Sequence, residues 1–196
     1  MTRRIRPPLA EWHAVILHRE HPLVDALRRQ LELLQIRVTV CWPHLDEAQA
    51  TADVVFFDAD MGHDGQFPWP RGLAPMPIIA LIGSEAPGRI EWALDQGSNA
   101  HLLKPIGSTG AYSALLIAAH AYQQVRAQAD DIRVLEDRLR QRPIVVRAIL
   151  HLLQNEGGNE AAAWKHLRSV AMNWGMTIED AAEAICRNDK RTRSGA

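Results

Sequence analysis

The sequence predicts an α/β protein in which a doubly wound five-stranded parallel sheet is followed by a long coiled-coil helix and a small three-helix domain. Three observations support this prediction. Short apolar runs alternate with helical patterns over residues 11–120, as in strand–helix–strand crossover units. A proline-free stretch follows and carries apolar residues at a seven-residue spacing. The remaining residues contain three short helical patterns.

The elements of the predicted sheet follow one another in order. Ala14–Leu17 is a short apolar run, as expected of a strand buried on both faces. Pro22–Leu34 carries leucines at spacings of four, four and three, which is the stripe of an amphipathic helix. Ala86–Gln96 is predicted to be a second helix, ended by Gly97. Four further strands are predicted at Ile36–Cys41, Asp53–Asp58, Pro77–Ile82 and Asn99–Leu103. Five strands of this length favour the flavodoxin-like strand order.

Ligand sites in such sheets lie where the carboxyl ends of the strands meet. The first predicted strand is followed by His18, Arg19 and Glu20, the third ends in Asp58, and the fifth is followed by Lys104. These residues are therefore the first place to look for a functional site.

The strand that ends in Asp58 and the pair Lys104-Pro105 resemble the phosphoacceptor strand and the Lys-Pro pair of response-regulator receiver domains. The resemblance implies a receiver-type fold with Asp58 in the acceptor position. Receivers usually place two adjacent acidic residues after the first strand, where they help to hold Mg²⁺, but here a histidine and an arginine precede a single acid, Glu20. Receivers also place Ser or Thr at the end of the fourth strand, where this chain has Ile82.

These departures weigh against phosphorylation. Phosphoryl transfer to a carboxylate needs a cation that neutralises the developing charge, and the positive charge of Arg19 should oppose the binding of Mg²⁺. We therefore predict a pseudo-receiver in which Asp58 and Lys104 form an ordinary ion pair and Glu20 is a remnant of the receiver site. The alternative is a phosphorylation-dependent two-component response regulator whose C-terminal domain binds protein or DNA.

A coiled-coil seam is predicted in the helix that follows the sheet. Val125, Ile132 and Leu139 lie seven residues apart, and Leu135 occupies an intervening position of the heptad. The seam predicts a homodimer, and the alternative is a single surface helix lying along its own domain. Pro143 is expected to end or kink this helix, or to serve as the first residue of a new one.

Three helices are predicted in the C-terminal part. They are Ile144–Asn155, closed by Gly157-Gly158, then Glu160–Asn173 with Asn159 as N-cap, and Ile178–Arg187 after a capping Thr177. Residues expected in their common core are Leu150, Leu153, Ala163, Leu167, Val170, Ala171, Ile178, Ala181 and Ile185.

The string Ala163–Met172 resembles the core of the ANTAR domain of antitermination regulators. The resemblance extends to Ala148, Leu150, Leu152 and Leu153 before this string and to Ala181–Ile185 after it. The whole layout is similar to the family of amidase-operon antitermination regulators. This resemblance implies a cytoplasmic homodimer that binds leader-RNA hairpins and prevents formation of a terminator. It also implies control by a ligand-sensing protein partner rather than by phosphate.

The predicted domain boundaries follow from these patterns. Residues 11–120 form the pseudo-receiver, residues 121–142 the coiled-coil helix and residues 143–190 the three-helix ANTAR domain. Because the ANTAR resemblance implies RNA binding, basic and flat side chains on its helices are the candidate contacts.

The candidate RNA-binding residues lie on the first two of these helices. Lys165 and Arg168 are three residues apart, and Trp164 and Arg168 are four apart, so each pair shares a helix face. Arg147 and His151 are also four apart. The alternative for each basic residue is an ordinary solvated surface group, and Trp164 could belong to the core.

Composition limits the remaining possibilities. The chain is 47% apolar and 23% charged, as in ordinary globular proteins. Its longest apolar stretches are about ten residues, too short to cross a bilayer. The segment Met1–Pro8 has three arginines but no apolar core, so no signal peptide is expected. Residues 1–120 carry 10 Lys/Arg and 13 Asp/Glu, and residues 121–196 carry 12 and 10, which permits nucleic-acid binding by the second part.

No catalytic constellation is visible. The nine histidines are scattered, the sequence has no phosphate loop, and Cys41 and Cys186 lie far apart without metal-ligand spacing. We therefore expect no enzyme activity, no metal and no cofactor. The last predicted helix is acidic, with Glu179, Asp180 and Glu183, which is a poor match to a DNA groove.

Overall fold

The structure is a computed structural model that describes residues 9–156 and 159–193. The expected helix end at Gly157-Gly158 and the segment Met1–Pro8 lie outside the described residues. The chain divides into two compact units, with Arg126 the last residue of the N-terminal unit and Ala127 the first of the C-terminal unit.

The N-terminal unit contains a five-stranded parallel sheet with the strand order β2-β1-β3-β4-β5. This confirms the predicted fold class. Strands β3 and β4, which lie in the interior of the sheet, are buried along their whole length, as expected of parallel strands covered on both faces. The strands are β1 His13–Leu17, β2 Arg37–Cys41, β3 Val54–Asp58, β4 Ile78–Ile82 and β5 Ala100–Leu103.

One face of the sheet is covered by helix α1, Pro22–Leu33, and by the first turns of helix α3, Ala111–Glu156. Leu27 and Leu31 of α1 and Leu115 of α3 are fully buried in this layer. The leucine stripe of the sequence is therefore the face of α1 that packs on the sheet.

The other face is covered by helix α2, Pro87–Asp95, and by the loop of residues 59–77 between β3 and β4. This loop takes the place of a helix. Phe67 packs edge-on against Phe57 of β3 and stacks on Trp69, with ring centroids 5.4 and 5.2 Å apart. Aromatic side chains thus cover the sheet where a crossover helix would otherwise lie.

The start of α3 is fixed by a buried side chain of α1. Gln30 is 9% exposed. Its Nε2 donates to the carbonyl oxygen of Gly107 at 2.9 Å, and its Oε1 accepts from the backbone N–H of Ala111 at 3.0 Å. The second bond satisfies one of the N–H groups that a helix leaves unpaired at its N-terminus.

Helix α3 continues through Pro143 to Glu156. Of the outcomes expected at Pro143, an end of the helix and the start of a new one are therefore wrong, and a kink stays a prediction. Proline at this position removes the N–H that would bind the carbonyl oxygen of Leu139. Because Pro143 and Leu139 are both exposed, water can bind that carbonyl oxygen, and the helix formers on either side continue the helix.

The C-terminal unit packs the last turns of α3 against α4, Glu160–Trp174, and α5, Ile178–Arg193. Asn159 caps α4 by accepting from the N–H of Ala162 at 3.0 Å, and the Thr177 hydroxyl oxygen accepts from the N–H of Asp180 at 3.1 Å. The buried core consists of Val145, Ala148, Ile149, Leu152, Ala163, Leu167, Ala171, Ala181 and Ala182.

Leu150 is not part of this core. Its side chain is 53% exposed, whereas Ile149 and Leu152 are 7% and 5% exposed. The core face of the helix therefore runs through Ile149 and Leu152, and the prediction for Leu150 is wrong. None of the described helices is long and apolar enough to cross a membrane.

Candidate functional site

A cluster of charged side chains closes the carboxyl edge of the sheet. Asp58, the last residue of β3, is 1% exposed. Lys104, which follows β5, donates from Nζ to Asp58 Oδ1 at 2.6 Å. The structure thus brings Asp58 and Lys104 together as a largely buried ion pair.

Asp60 is a second carboxylate on the same ammonium group. Lys104 Nζ donates to Asp60 Oδ2 at 2.9 Å, and the backbone N–H groups of Gly83 and Ser84 each donate to the Asp60 carboxylate at 2.9 Å. Burial raises the pKa of Asp60, but these hydrogen bonds outweigh burial and hold its pKa below the ordinary value. A side chain at position 83 would collide with this carboxylate, because a Cβ there would lie 2.7 Å from Asp60 Oδ2.

Sequence analysis did not single out Asp60. Two features of the sequence point to it in retrospect. It lies two residues after the strand-end Asp58, and its backbone N–H donates to Asp58 Oδ1 at 3.0 Å, so the chain turns back towards the strand end. Gly83 after β4 is the complementary signal, because a glycine leaves room for an approaching carboxylate.

His18, which follows β1, is the fourth member of the cluster. Its side chain is 2% exposed, and its Nε2 lies 3.2 Å from Asp58 Oδ2. Its Nδ1 lies 2.6 Å from the carbonyl oxygen of Arg19, so Nδ1 carries the ring proton. We call His18, Asp58, Asp60 and Lys104 the charge cluster; it joins the ends of β1, β3 and β5 and, through Asp60, the loop after β4.

Burial lowers the pKa of His18 below its ordinary value of 6.5. The Arg19 carbonyl and the Asp58 carboxylate raise the pKa of His18, while the nearby Lys104 ammonium and the neighbouring His21 add to the lowering. Because the folded chain holds the proton less tightly than the unfolded chain, the neutral ring stabilises the fold above pH 6.5. That contribution is lost as the pH falls below this value.

We therefore expect the free energy of unfolding of the wild type to fall more steeply below pH 6.5 than that of His18→Asn. Urea denaturation at about pH 7.5 and about pH 5.5 measures both slopes. His101→Asn, at an exposed position of β5, is the matched control and should keep the wild-type slope. Equal slopes for the wild type and His18→Asn would contradict the prediction.

The residues at this edge do not fit a Mg²⁺ site. The Lys104 ammonium already binds both carboxylates, and β1 is followed by His18 and Arg19 instead of acids. Glu20 does not join the charge cluster: it is exposed and lines a different hollow together with Arg28 and Trp42. The arrangement is thus a pair of carboxylates that share one lysine rather than a metal-assisted acceptor site.

The candidate RNA-binding residues lie in the C-terminal unit. Arg147 of α3 and Lys165 and Arg168 of α4 are exposed. Trp164 is half-buried because it packs on the core of this unit. His151 is also half-buried, and its ring lies 3.0 Å from the side-chain amide nitrogen of Asn155. The three cations are therefore free to meet a ligand, whereas Trp164 offers only part of its ring.

Apolar side chains are exposed along the middle of α3. Val125 is 60% exposed, Ile132 and Leu135 are each 57% exposed, and Leu139 is 52% exposed. We call these four residues the seam. Large apolar side chains that repeat on one helix and remain in water are typical of a surface that another chain covers.

Comparison with known families gives two matches. The family model described as the N-terminal domain of AmiR matches residues 12–119, just over half of the chain. The family model of the ANTAR domain matches residues 133–185. The two matches fall on the two regions for which the sequence suggested a receiver-like and an ANTAR-like domain.

Transcriptional regulatory protein PdtaR of Mycobacterium tuberculosis is 28% identical over 109 residues, which make up 56% of this chain and 53% of PdtaR. The chain spans about half the length of the curated relatives it matches. Among solved structures, full-length FixJ from B. japonicum is similar over 91% of this chain and 98% of its own, at 15% identity and a TM-score of 0.46. The receiver domain of a modulated diguanylate cyclase from Desulfovibrio desulfuricans G20 covers 58% of this chain and 98% of its own, at 17% identity and a TM-score of 0.46.

The family matches establish the family of this chain, because the AmiR model alone covers more than half of it. They confirm the resemblance that the sequence suggested, at both ends of the chain. The protein belongs to the AmiR family: it has the AmiR-type N-terminal pseudo-receiver followed by an ANTAR domain.

Proposed function

We propose that the protein is a cytoplasmic, homodimeric antiterminator that binds leader-RNA hairpins through its C-terminal unit and takes its signal from a ligand-sensing protein partner. The observation that carries the proposal is the charge cluster within an AmiR-type domain. Because Asp58 is buried and already ion-paired with Lys104, a protein contact is a better candidate than phosphorylation for the input signal. The match to the ANTAR family supports RNA as the molecule that the C-terminal unit binds.

The proposed domain division keeps residues 11–120 as the pseudo-receiver, 121–142 as the coiled coil and 143–190 as the ANTAR domain. The exposed seam supports dimerisation through the second of these segments. Recognition of a DNA groove by α5 is disfavoured, because this helix begins with acidic residues, Glu179 and Asp180. The match to the ANTAR family supports RNA instead.

Phosphorylation of Asp58 is the competing input. A phosphodonor would have to displace Lys104 from a carboxylate that is 1% exposed, without a fitting Mg²⁺ site. We expect no gain in mass when the protein is incubated with acetyl phosphate and Mg²⁺. A phosphoryl adduct that disappears in Asp58→Asn would contradict the proposal and favour a phosphorylation-dependent regulator.

RNA binding is tested with the leader transcript of the operon next to the protein's own gene, at two salt concentrations. We expect binding that weakens with salt, because lysine and arginine release counterions from phosphates. Lys165→Ala and Arg168→Ala should each weaken binding and lower the salt slope by about 1. Arg126→Ala is the matched control, since it removes an exposed arginine of α3 that lies outside the ANTAR match at residues 133–185.

No binding by the wild type at low salt would contradict the proposal. Equal losses in Lys165→Ala, Arg168→Ala and Arg126→Ala would show that only net charge matters. A loss confined to the first two variants would support an RNA-binding surface on α4.

A further inference from the structure

A hollow with a volume of about 580 Å³ lies beside the charge cluster at the carboxyl edge of the sheet. Ligand sites of doubly wound sheets lie at this edge, and the volume is within the range of small-molecule sites, about 300–1,000 Å³. We call it the edge hollow. Besides the charge cluster, its lining includes Arg19, His21 and a set of apolar side chains. The edge hollow is therefore a candidate site for a small molecule in the N-terminal unit.

The two carboxylates of the edge hollow are already engaged by donors of the protein. The Lys104 ammonium and the backbone N–H groups of residues 60, 83 and 84 donate to them at distances between 2.6 and 3.1 Å. Asp58 is also buried, and Asp60 is only partly exposed. Little of either carboxylate is left to bind a cationic ligand.

Three donor groups of the edge hollow have no acceptor among the residues that the structure describes. The Arg19 guanidinium is exposed and takes part in no hydrogen bond or ion pair with these residues. Lys104 uses two of its three N–H groups on the charge cluster, so one remains. His21 Nδ1 accepts from the N–H of Leu23 at 3.2 Å, so Nε2 carries the ring proton and can donate. Unused donors on two cations and one imidazole favour an anionic ligand.

The rest of the wall of the edge hollow is apolar. It consists of Pro22, Leu23, Ala26, Met61, Pro105 and Ile106. Leu23 and Ile106 belong to the buried core of the N-terminal unit, so this wall is firmly held. An inorganic anion would leave the wall in water, whereas an apolar body attached to a carboxylate would cover it. The wall therefore favours an organic acid over inorganic phosphate.

We propose that the edge hollow binds a small organic carboxylate, with the carboxylate group on Arg19 and Lys104 and the apolar part against Leu23, Ala26 and Ile106. This inference goes beyond the proposed function and does not depend on it, because it needs neither RNA nor a protein partner. The bound acid connects the segments that follow β1 and β5, so it stabilises the folded N-terminal unit by mass action.

The test is isothermal titration calorimetry of the full-length protein with benzoate, which joins a carboxylate to a flat apolar ring. We expect benzoate to bind at least about tenfold more tightly than benzamide, which has nearly the same shape but no charge. Acetate and inorganic phosphate should each bind more weakly than benzoate, because neither covers the apolar wall. Benzoate should also raise the temperature of unfolding, by an amount that grows with its concentration.

Arg19→Gln should weaken the binding of benzoate by at least about tenfold, because it removes a charge-assisted hydrogen bond. Arg29→Gln is the matched control, since it removes an exposed arginine of α1 that does not line the edge hollow. It should bind benzoate like the wild type. Both substitutions are at exposed positions, where the fold is expected to be retained, and thermal unfolding without benzoate checks this.

The outcomes decide for or against the edge hollow. Binding of benzoate that exceeds that of benzamide and is weakened only in Arg19→Gln supports the proposal. No binding of benzoate, equal affinities for benzoate and benzamide, or equal losses in Arg19→Gln and Arg29→Gln would overturn it. Inorganic phosphate or acetate that binds as tightly as benzoate would overturn the assignment to an organic acid with an apolar body.

Discussion

Lys104→Met is expected to destabilise the N-terminal unit by about 3–5 kcal/mol, the usual cost of removing one partner of a buried ion pair. The substitution leaves Asp58, 1% exposed, and Asp60 without the ammonium group that lies 2.6 and 2.9 Å from them. Urea denaturation measures the loss. The hydrophobic stem of methionine retains most of the packing, so the change reports mainly on charge.

Two controls make this result specific. Lys104→Met combined with Asp58→Asn should recover part of the stability, because the uncompensated buried carboxylate is gone. Arg187→Met removes one partner of the exposed pair with Glu183 and should cost less than about 1 kcal/mol. A loss below about 1 kcal/mol in Lys104→Met itself would show that the charge cluster does not stabilise the sheet edge.

Ile132→Glu is expected to convert a dimer into monomers. Burying a large aliphatic side chain stabilises an interface by about 1.5–3 kcal/mol, and in a symmetric dimer each substitution acts twice. Two glutamates facing each other across a seam add repulsion. We therefore expect the dissociation constant to rise by at least about a hundredfold, as measured by sedimentation equilibrium.

Val134→Glu is the matched control for the seam. Val134 is 47% exposed on the same helix, but it occupies neither of the two heptad positions that face a partner. It should leave the dimer intact. A monomeric wild type, or equal dissociation in Val134→Glu and Ile132→Glu, would contradict dimerisation through the seam. In the proposed function two hairpin-binding units act together in a dimer, so Ile132→Glu should also lower the apparent affinity for leader RNA that carries two hairpins.

The sheet could be predicted from sequence because its signals are local and strong. Strand β3 is a β-branched and aromatic run that ends in Asp58, and β4 is an uninterrupted apolar run, so both could be placed without knowledge of their neighbours. Strand–helix alternation then fixed the parallel arrangement. The pair Asp58 and Lys104 followed from the rule that the carboxyl ends of parallel strands share an edge.

The missed features depend on contacts between distant residues. Asp60 joins the charge cluster only because Gly83 brings a backbone free of side chain to its carboxylate, a contact across 23 residues. In the segment 148–153 nearly every residue is apolar, so periodicity alone could not decide between Leu150 and Leu152. The partners on α4 and α5 select Leu152 for the core. At Pro143 the helix continues because the position is exposed to water, which reduces the free-energy penalty of proline inside a helix.

Gln30 attaches the start of the long helix α3 to helix α1. Its amide binds the carbonyl oxygen of Gly107 and the N–H of Ala111, on either side of the turn that leads into α3. Both bonds come from the same planar group, so their directions are fixed relative to each other. A displacement of α1 therefore either moves the first turn of α3 with it or breaks these hydrogen bonds. A partner that binds α1 would in this way act on the N-terminal end of α3.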